Sequence, residues 1–141
     1  MNGVAIVRYL LSTNSNLIAA VPAAKIKAGT LPIDIVLPAI SVTQIFGSEH
    51  TDVAMNSANV LATNRVQVTV LAEDNGTQSG YALKKSILAL VRKACPNTHG
   101  TVNGFTVDSI LPDIVGPDID IGDPMIYTQS RDFIVRFSEA T

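Results

Sequence analysis

The sequence predicts an α+β fold for a single domain of residues 1–141, with two main helices packed on one face of a mainly antiparallel sheet. Val, Ile and Thr supply 41 of the 141 residues, and these β-branched side chains favour strands. Two segments have the apolar spacing of a helix, and four others alternate polar and apolar residues. Their order along the chain is helix, strand, strand, helix, strand, strand. A chain of this length can also bury a core without disulfides or metal ions.

The N-terminal segment predicts a helix over about residues 2–13. Its apolar residues keep helical spacing, at Val4, Val7, Leu10 and Leu11. Ser and Asn side chains within residues 12–16 can cap a short second helical piece, which reaches Val21 and is stopped by Pro22.

The main helix is predicted over about residues 78–94. Thr77 or Ser79 can cap its start, and Cys95-Pro96 ends it because proline disfavours helical geometry in the residue before it. The Asn75-Gly76-Thr77 string before it matches a glycosylation acceptor, but we interpret it as a turn. The predicted apolar stripe of this helix consists of Leu83, Ile87, Leu90, Val91 and Ala94.

Four segments are predicted to be strands, namely Pro38–Phe46, Arg65–Ala72, Phe105–Leu111 and Ile126–Ser138. Their core-facing residues are expected at Ile40, Val42, Val66, Val68, Val70, Phe133, Val135 and Phe137. In the third strand, alternation places Phe105, Val107 and Leu111 on one face. The preceding Asn103-Gly104 is a hairpin-turn signal.

Two long connections are predicted to be loops. Gly47–Asn64 contains no Lys or Arg, and a structureless segment of this length is usually functional or mobile. Pro112–Pro124 places four aspartates among prolines and glycines, again without a basic residue.

Charge and cysteine content exclude several classes of protein. Ten Lys and Arg against 12 Asp and Glu give a net charge of −2, which argues against a nucleic-acid binder driven by a basic surface. The single cysteine, Cys95, cannot form an internal disulfide. The apolar N-terminal run has no basic region before it, and Asn-Ser-Asn at 14–16 interrupts it well short of a membrane span. The sequence therefore predicts a soluble, intracellular protein.

The low charge content also bears on assembly. Charged residues make up 16% of the chain, against a typical value of about 25%. A surface short of charge is expected where part of it is buried against other subunits. The alternative is a compact monomer whose surface is polar but uncharged, rich in Ser, Thr and Asn.

The acidic connection is the first place to look for a metal site. Asp118, Asp120 and Asp123 are close in sequence, and hard cations bind several oxygen ligands. The calcium-loop pattern is not met, because Gly122 precedes Asp123 and no Glu follows until Glu139. We therefore favour a solvated acidic loop and predict no metal site.

The other reactive side chains give no catalytic or cofactor site. His50 and His99 lie in loop-like contexts without a third ligand and are predicted to be surface residues. Cys95 is expected to pack at a helix end, where the dipole raises a thiol pKa. Tyr81 and Lys85 share one helix face, but the glycine-rich turn that a nicotinamide site needs is absent. The sequence indicates no enzyme.

Several local strings and their order extend over essentially the whole chain. They are the helix Val4–Leu11, the piece Leu17–Val21 leading into Val21-Pro22-Ala23-Ala24-Lys25-Ile26, the strings Leu37-Pro38-Ala39-Ile40-Ser41-Val42 and Ile45-Phe46-Gly47, the strand Arg65–Ala72, and the closing string Tyr127–Val135, which contains Ser130-Arg131-Asp132-Phe133. In this order they resemble the tail terminator proteins (also called tail completion or head–tail joining proteins) of long-tailed bacteriophages and related prophages. Gly47–Asn64 is more apolar, and Pro112–Pro124 more acidic, than the resemblance would lead one to expect.

The resemblance implies a structural virion protein of the tail or neck, assembled in the host cytoplasm. Such proteins form a ring, typically of six copies, which caps the tail tube, ends its polymerisation and presents a surface to the head-side connector. The implied partners are the chain itself, the tail tube protein and the head–tail connector protein. DNA would pass through without specific binding, and no membrane or cofactor is implied. The alternatives are a connector or tail-tube subunit of the same particle, or a small ligand-binding α+β module.

Two expectations follow for a ring subunit. Gly47–Asn64 carries apolar residues that would be costly to leave in water, so we expect it to be mobile in a lone subunit and ordered against a neighbour or the tube. The alternative is that it folds back onto its own sheet.

The second expectation concerns charge. A channel for DNA should not hold phosphates, because each basic contact adds salt-dependent affinity. We expect the stretch with Asp108, Asp113, Asp118, Asp120 and Asp123 to face the lumen or its mouth. The basic helix face, with Lys84, Lys85, Arg92 and Lys93, would then point outward or to a neighbour. The alternative is that the aspartates merely keep an exposed loop solvated.

Overall fold

The computed structural model describes residues 2–50 and 59–140, and it confirms the α+β architecture. The helices are α1 (Gly3–Thr13), α2 (Ser15–Ala20) and α3 (Gly80–Ala94), with a 3-10 turn at Ala23–Lys25. The strands are β1 (Ile26–Ala28), β2 (Ala39–His50), β3 (Asn59–Ala72), β4 (Gly100–Val102), β5 (Phe105–Val115), β6 (Ile119–Ile121) and β7 (Ile126–Ala140). No helix in the described part of the chain is long and apolar enough to cross a membrane.

The strands form one curled sheet in the order β1-β2-β3-β7-β5-β4, and β6 also pairs with β7. Only β1 and β2 are parallel, and every other pair is antiparallel. All of β3 pairs with β7, from Asn59 opposite Ala140 to Ala72 opposite Tyr127. Since β3 occupies one side of β7, β5 and β6 follow one another along its other side.

Side-chain caps set the starts of α2 and α3 as the sequence predicts, whereas the start of α1 has no side-chain cap. Asn14 caps α2, because its Oδ1 accepts a hydrogen bond from the Leu17 amide at 3.0 Å. Ser79 caps α3, with its Oγ 3.2 Å from the Ala82 nitrogen. Asn75 forms the turn before α3, where its Oδ1 accepts from the Thr77 and Gln78 amides. Asn14 and Ser79 thereby satisfy amide groups that a helix start leaves unpaired, and Asn75 satisfies amide groups of the turn.

Alternation correctly predicts the core face of β2, β3 and β7. Its buried members are Ile40, Val42, Val66, Val68, Val70, Phe133, Val135 and Phe137. The apolar sides of α1 and α3 pack on this face, and the core cluster joins Ile6 and Leu11 to Ile87 and Val91. The Asn103-Gly104 turn between β4 and β5 is also confirmed, with positive φ angles of 50° and 84°.

Alternation fails in β5. Phe105 is half-buried and Val107 is buried, but Leu111 is 37% exposed and Ile110 is buried instead. The register of β5 against β7 shifts between Val107 and Ser109, and such an irregularity moves every later side chain to the opposite face. The prediction that Leu111 shares a face with Val107 is therefore wrong.

The apolar stripe of α3 is rotated from the predicted one. Ile87, Val91 and Ala94 are buried as expected, but Leu83 and Leu90 are only partly buried. The remaining buried positions are Gly80, Lys84 and Leu88. The helix therefore turns Lys84, which has a charged side chain, towards the interior.

Both predicted loops are wrong in large part. β2 extends to His50 and β3 begins at Asn59, and Gly47 lies opposite Asn64 in their ladder. Residues 51–58 of that segment, and the prediction about their mobility, lie outside the described residues. In the acidic segment, β5 continues through Pro112 to Val115, and β6 then pairs with β7.

The cap on α2 gives a stability test of the N-terminal region. We expect Asn14→Ala to lower the free energy of unfolding by about 1 kcal/mol, because it leaves the Leu17 amide without its partner. Asn16→Ala is the matched control, since Asn16 is exposed within α2 and alanine favours a helix. Urea unfolding of both variants measures the difference, and equal stability of the two would contradict the assigned cap.

Candidate functional site

An exposed arm is the most distinctive surface of the molecule. We define the arm as residues 114–126, which comprise the end of β5, all of β6, the following turn and the first residue of β7. Every residue of the arm except Gly116 is exposed. Its large apolar side chains are between 37% and 67% exposed, namely Ile114, Val115, Ile119, Ile121, Met125 and Ile126. A concentration of apolar side chains on one exposed segment is typical of an interaction surface.

A buried lysine ties the arm to α3. The side chain of Lys84 has no exposed surface, and its Nζ donates to Asp118 Oδ1 at 2.8 Å and to Asp120 Oδ1 at 3.2 Å. The same ammonium lies 4.6 Å from the centre of the Tyr81 ring. Burying an unpaired ammonium is very unfavourable, so the two aspartates must stay against α3 for Lys84 to remain charged there.

Further polar contacts extend this anchor to β7. Lys85 Nζ donates to Asp118 Oδ1 at 2.8 Å and to Gln129 Oε1 at 2.6 Å. Gln129 in turn donates from Nε2 to the Gly116 carbonyl oxygen at 2.8 Å. We call Tyr81, Lys84, Lys85, Asp118, Asp120 and Gln129 the lysine anchor, because together they join helix, arm and sheet.

The charges of the anchor favour its ionised form. Hydrogen bonds from Lys84 and Lys85 hold the pKa of the Asp118 carboxyl well below its usual range. The hydrogen bond to Asp118 likewise raises the pKa of Lys85. Asp118 Oδ2 also accepts from the Tyr81 hydroxyl at 3.1 Å.

Aromatic packing of Tyr81 against Tyr127 also stabilises the lysine anchor. The Tyr81 and Tyr127 rings meet edge to face, with their centres 6.5 Å apart. The Tyr127 ring also lies so close to Gly80 that a Cβ on that residue would overlap the ring. Any larger residue at position 80 would therefore displace Tyr127 and the start of the helix.

A second ion-pair cluster lies on the sheet face that the helices do not cover. Arg65 Nε donates to Asp132 Oδ2 at 3.0 Å, and the guanidinium also pairs with Asp113. The hydrogen bond to Asp132 is the main reason that the pKa of Arg65 is raised. This cluster connects β3, β7 and β5 across the sheet.

The remaining reactive residues have the exposure that the sequence predicts, although His50 lies at the end of β2 and not in a loop. His50 and His99 are exposed, and His99 Nδ1 is 3.2 Å from the Asp108 carbonyl oxygen. Cys95 is buried at the end of α3, and this burial raises the pKa of its thiol to about 12. Tyr81 and Lys85 do share a helix face, with Nζ 5.1 Å from the ring centre. Among the described residues, no cluster of three or more His, Cys, Asp or Glu could hold a metal ion.

The predicted separation of acidic and basic surfaces is wrong for Lys84 and Lys85, while the surface that faces a lumen stays a prediction. Lys84 and Lys85 contact Asp118 and Asp120 directly, so this basic helix face cannot point away from the acidic stretch. The alternative of a merely solvated acidic loop is also wrong for Asp113, Asp118 and Asp120, which are ion-paired.

The sequence predicts Lys84 on the basic outward face of the helix, but its side chain is buried instead, and Gln129 is not predicted as a site residue. Helical spacing contains the signal for Lys84, because it lies three, four and seven residues before Ile87, Leu88 and Val91. Gln129 lies on the alternating core face of β7, two residues before Arg131 and four before Phe133. Polar residues at core positions indicate a buried network.

The lysine anchor predicts different effects for two adjacent lysines. We expect Lys84→Met to lower the free energy of unfolding by about 2–3 kcal/mol, because it leaves Asp118 and Asp120 without their buried partner. Lys85→Met is the matched control and should cost clearly less, because Lys85 is 39% exposed and its charge is screened by water. Hydrogen exchange should show faster exchange of residues 118–121 in Lys84→Met alone. Equal behaviour of the two variants would contradict the anchor.

The lowered pKa of Asp118 predicts acid sensitivity. A carboxyl with a depressed folded-state pKa stabilises the fold fully above its unfolded-state value of about 3.9. That contribution is lost as the pH falls below this value towards the folded-state pKa. Urea unfolding at pH 6 and pH 3 should therefore show a smaller stability difference for Asp118→Asn than for the unmodified chain. Asp123→Asn, which removes an exposed arm carboxyl outside the anchor, should retain the full difference; if it loses as much, the assignment to Asp118 fails.

Comparisons with known proteins identify the fold but no family. No family model matches the chain, and no curated protein is similar to it in sequence. Among solved structures, a chain in a structure described as the virion of a native gene transfer agent particle has a TM-score of 0.68 to this one. The similarity covers 97% of this chain and 95% of that chain at 14% sequence identity. At this identity the similarity establishes a shared fold.

Proposed function

We propose that this chain is a structural protein of a phage-like virion, and that it forms a ring that caps the tail tube and joins it to the head-side connector. The observation that supports this most strongly is the fold shared, over nearly the full length of both chains, with a component of a gene transfer agent virion. The order of strings from Val4 to Val135, which resembles the tail terminator proteins, supports the more specific role.

The sheet edges of the subunit suit a ring. Within residues 2–50 and 59–140, no strand pairs with the outer edge of β2 beyond Val42, because β1 ends opposite that residue. On the other side of the sheet, the edges of β5 and β6 that face away from β7 are also open, because β4 pairs with β5 only as far as Val107 and no described strand pairs with the outer edge of β6. Open edges favour pairing with another chain, and two different edges on opposite sides allow head-to-tail contacts that close into a ring.

The chemistry of the site also supports a structural role. The lysine anchor neutralises its own charges, and the Lys84 side chain is completely buried. An arrangement of this kind positions a segment of chain and leaves no reactive group for a substrate. The exposed side chains that it positions are apolar, as a binding surface between proteins requires.

Assembly on tail tubes tests this function. We expect the purified chain to form rings of identical subunits, six by the resemblance, and to stop elongation when it is added to polymerising tail tube protein. Light scattering measures the subunit number, and electron microscopy measures tube length with and without the chain. Persistent monomers in the presence of tubes, with unchanged tube length, would contradict the capping role.

Labelling of intact particles distinguishes the alternatives within a virion. A gold-labelled antibody should bind at the junction of head and tail if the chain caps the tube. Label along the whole tail would instead assign it as a tube subunit, and label inside the head-side portal would assign it as a connector. Absence from purified particles would contradict a virion role altogether.

A further inference from the structure

We propose that the arm of one subunit binds in a groove between α1 and β1 of a second copy of this chain. This inference rests on the proposed ring and names the two surfaces that meet in each contact between subunits. The groove has a volume of about 570 Å³. Its lining includes Val4, Ala5, Tyr9, Ala28 and the turn residue Asn103, together with the basic residues Arg8 and Lys27.

The groove presents positive charge beside an apolar floor. Arg8 is exposed, and its Nε donates to the Ile26 carbonyl oxygen at 2.9 Å, which holds the guanidinium at the groove wall. Lys27 is half-exposed on β1. In the part of the chain that the structure describes, neither residue forms an ion pair. The occupant that fits is therefore apolar and carries a negative charge.

The tip of the arm has this chemistry. Ile121, Met125 and Ile126 are exposed apolar side chains on either side of the turn that contains Asp123. Asp118 and Asp120 are neutralised by Lys84 and Lys85, so Asp123 is the carboxylate that the arm still offers to a partner. One carboxylate between apolar side chains complements two cations beside an apolar floor.

The arm of a subunit cannot fill the groove of the same subunit. The arm lies against α3 and β7, whereas the described residues that line the groove come from α1, β1 and the turn after β4 and include none of the arm. Asn103 follows β4 near the opposite end of β7, since Thr106 pairs with Ser138 while the arm ends at Ile126. The lysine anchor holds the arm on α3 and prevents it from reaching the groove. The contact must therefore join two copies through two different surfaces.

Charge reversal tests the contact directly. We expect Asp123→Lys and Lys27→Glu each to weaken self-association at least tenfold, because each places like charges together. The double variant, Asp123→Lys with Lys27→Glu in one chain, should regain association within a few-fold of the unmodified chain. Sedimentation equilibrium over a range of protein concentrations measures each constant, and circular dichroism with urea unfolding confirms that every variant is folded.

Matched controls separate this contact from a general effect of net charge. Asp108→Lys and Lys93→Glu change the net charge by the same amounts at exposed positions outside the arm tip and the groove, so both should associate normally. Normal association of Asp123→Lys and of Lys27→Glu would overturn the inference, although a ring formed through other surfaces would still stand. Impaired singles without rescue in the double variant would also overturn it, because the two residues would then not meet.

The association of the unmodified chain is itself informative. A chain that stays monomeric at millimolar concentration would overturn the contact, which needs nothing beyond a second copy. The proposed place in the virion would in that case still be decided by the labelling of intact particles.

Discussion

The register between β3 and β7 is the constraint on which the other features depend. All 14 residues of β3 pair with β7, so a slip by one residue would exchange the two faces along the whole length of the central ladder. This register directs Val66 and Phe133 towards the helices and Arg65 and Asp132 towards the opposite face. The helices can bury their apolar sides on only one face, and α3 then lies where Lys84 reaches the aspartates beside the start of β7.

The buried lysine specifies position more than it adds stability. A buried ion pair often contributes no more than apolar residues of the same volume would, because desolvation offsets the attraction. An apolar residue at position 84 would, however, accept many placements of the arm. The Lys84 ammonium is compatible only with placements of the arm that bring Asp118 and Asp120 within hydrogen-bond distance. The arm is therefore presented in one orientation although nearly all of its residues are exposed.

The parts of the fold that local sequence determines were predictable, and the parts that depend on distant partners were not. Periodicity identifies α1, α3 and the four long strands, but β1, β4 and β6 have only three residues each and are too short to show a period. Pro112, Gly116 and Pro117 suggest a loop, yet an edge strand tolerates proline because its outward-facing amide needs no partner in the sheet. The irregularity after Val107 leaves no mark in the sequence and moves Leu111 to the other face.

The lysine anchor could likewise be predicted from the sequence only in part. The position of Lys84 in the apolar stripe can be found from helical spacing, but its partners are 34 and 36 residues away. Only the strand pairing of β6 with β7 brings them to α3. The sequence alone therefore predicts separate surfaces for the aspartates and the lysines, although Asp118 and Asp120 pair with Lys84 and Lys85.

The burial of Cys95 has a practical consequence for studying the assembly. The thiolate is the reactive form of cysteine, and a thiol pKa of about 12 leaves almost none of it at neutral pH. Since Cys95 is the single cysteine in the chain, a cysteine introduced on the surface would be the dominant target for a maleimide dye or a spin label. Distances between labelled subunits could then be measured without first replacing a native residue in the core.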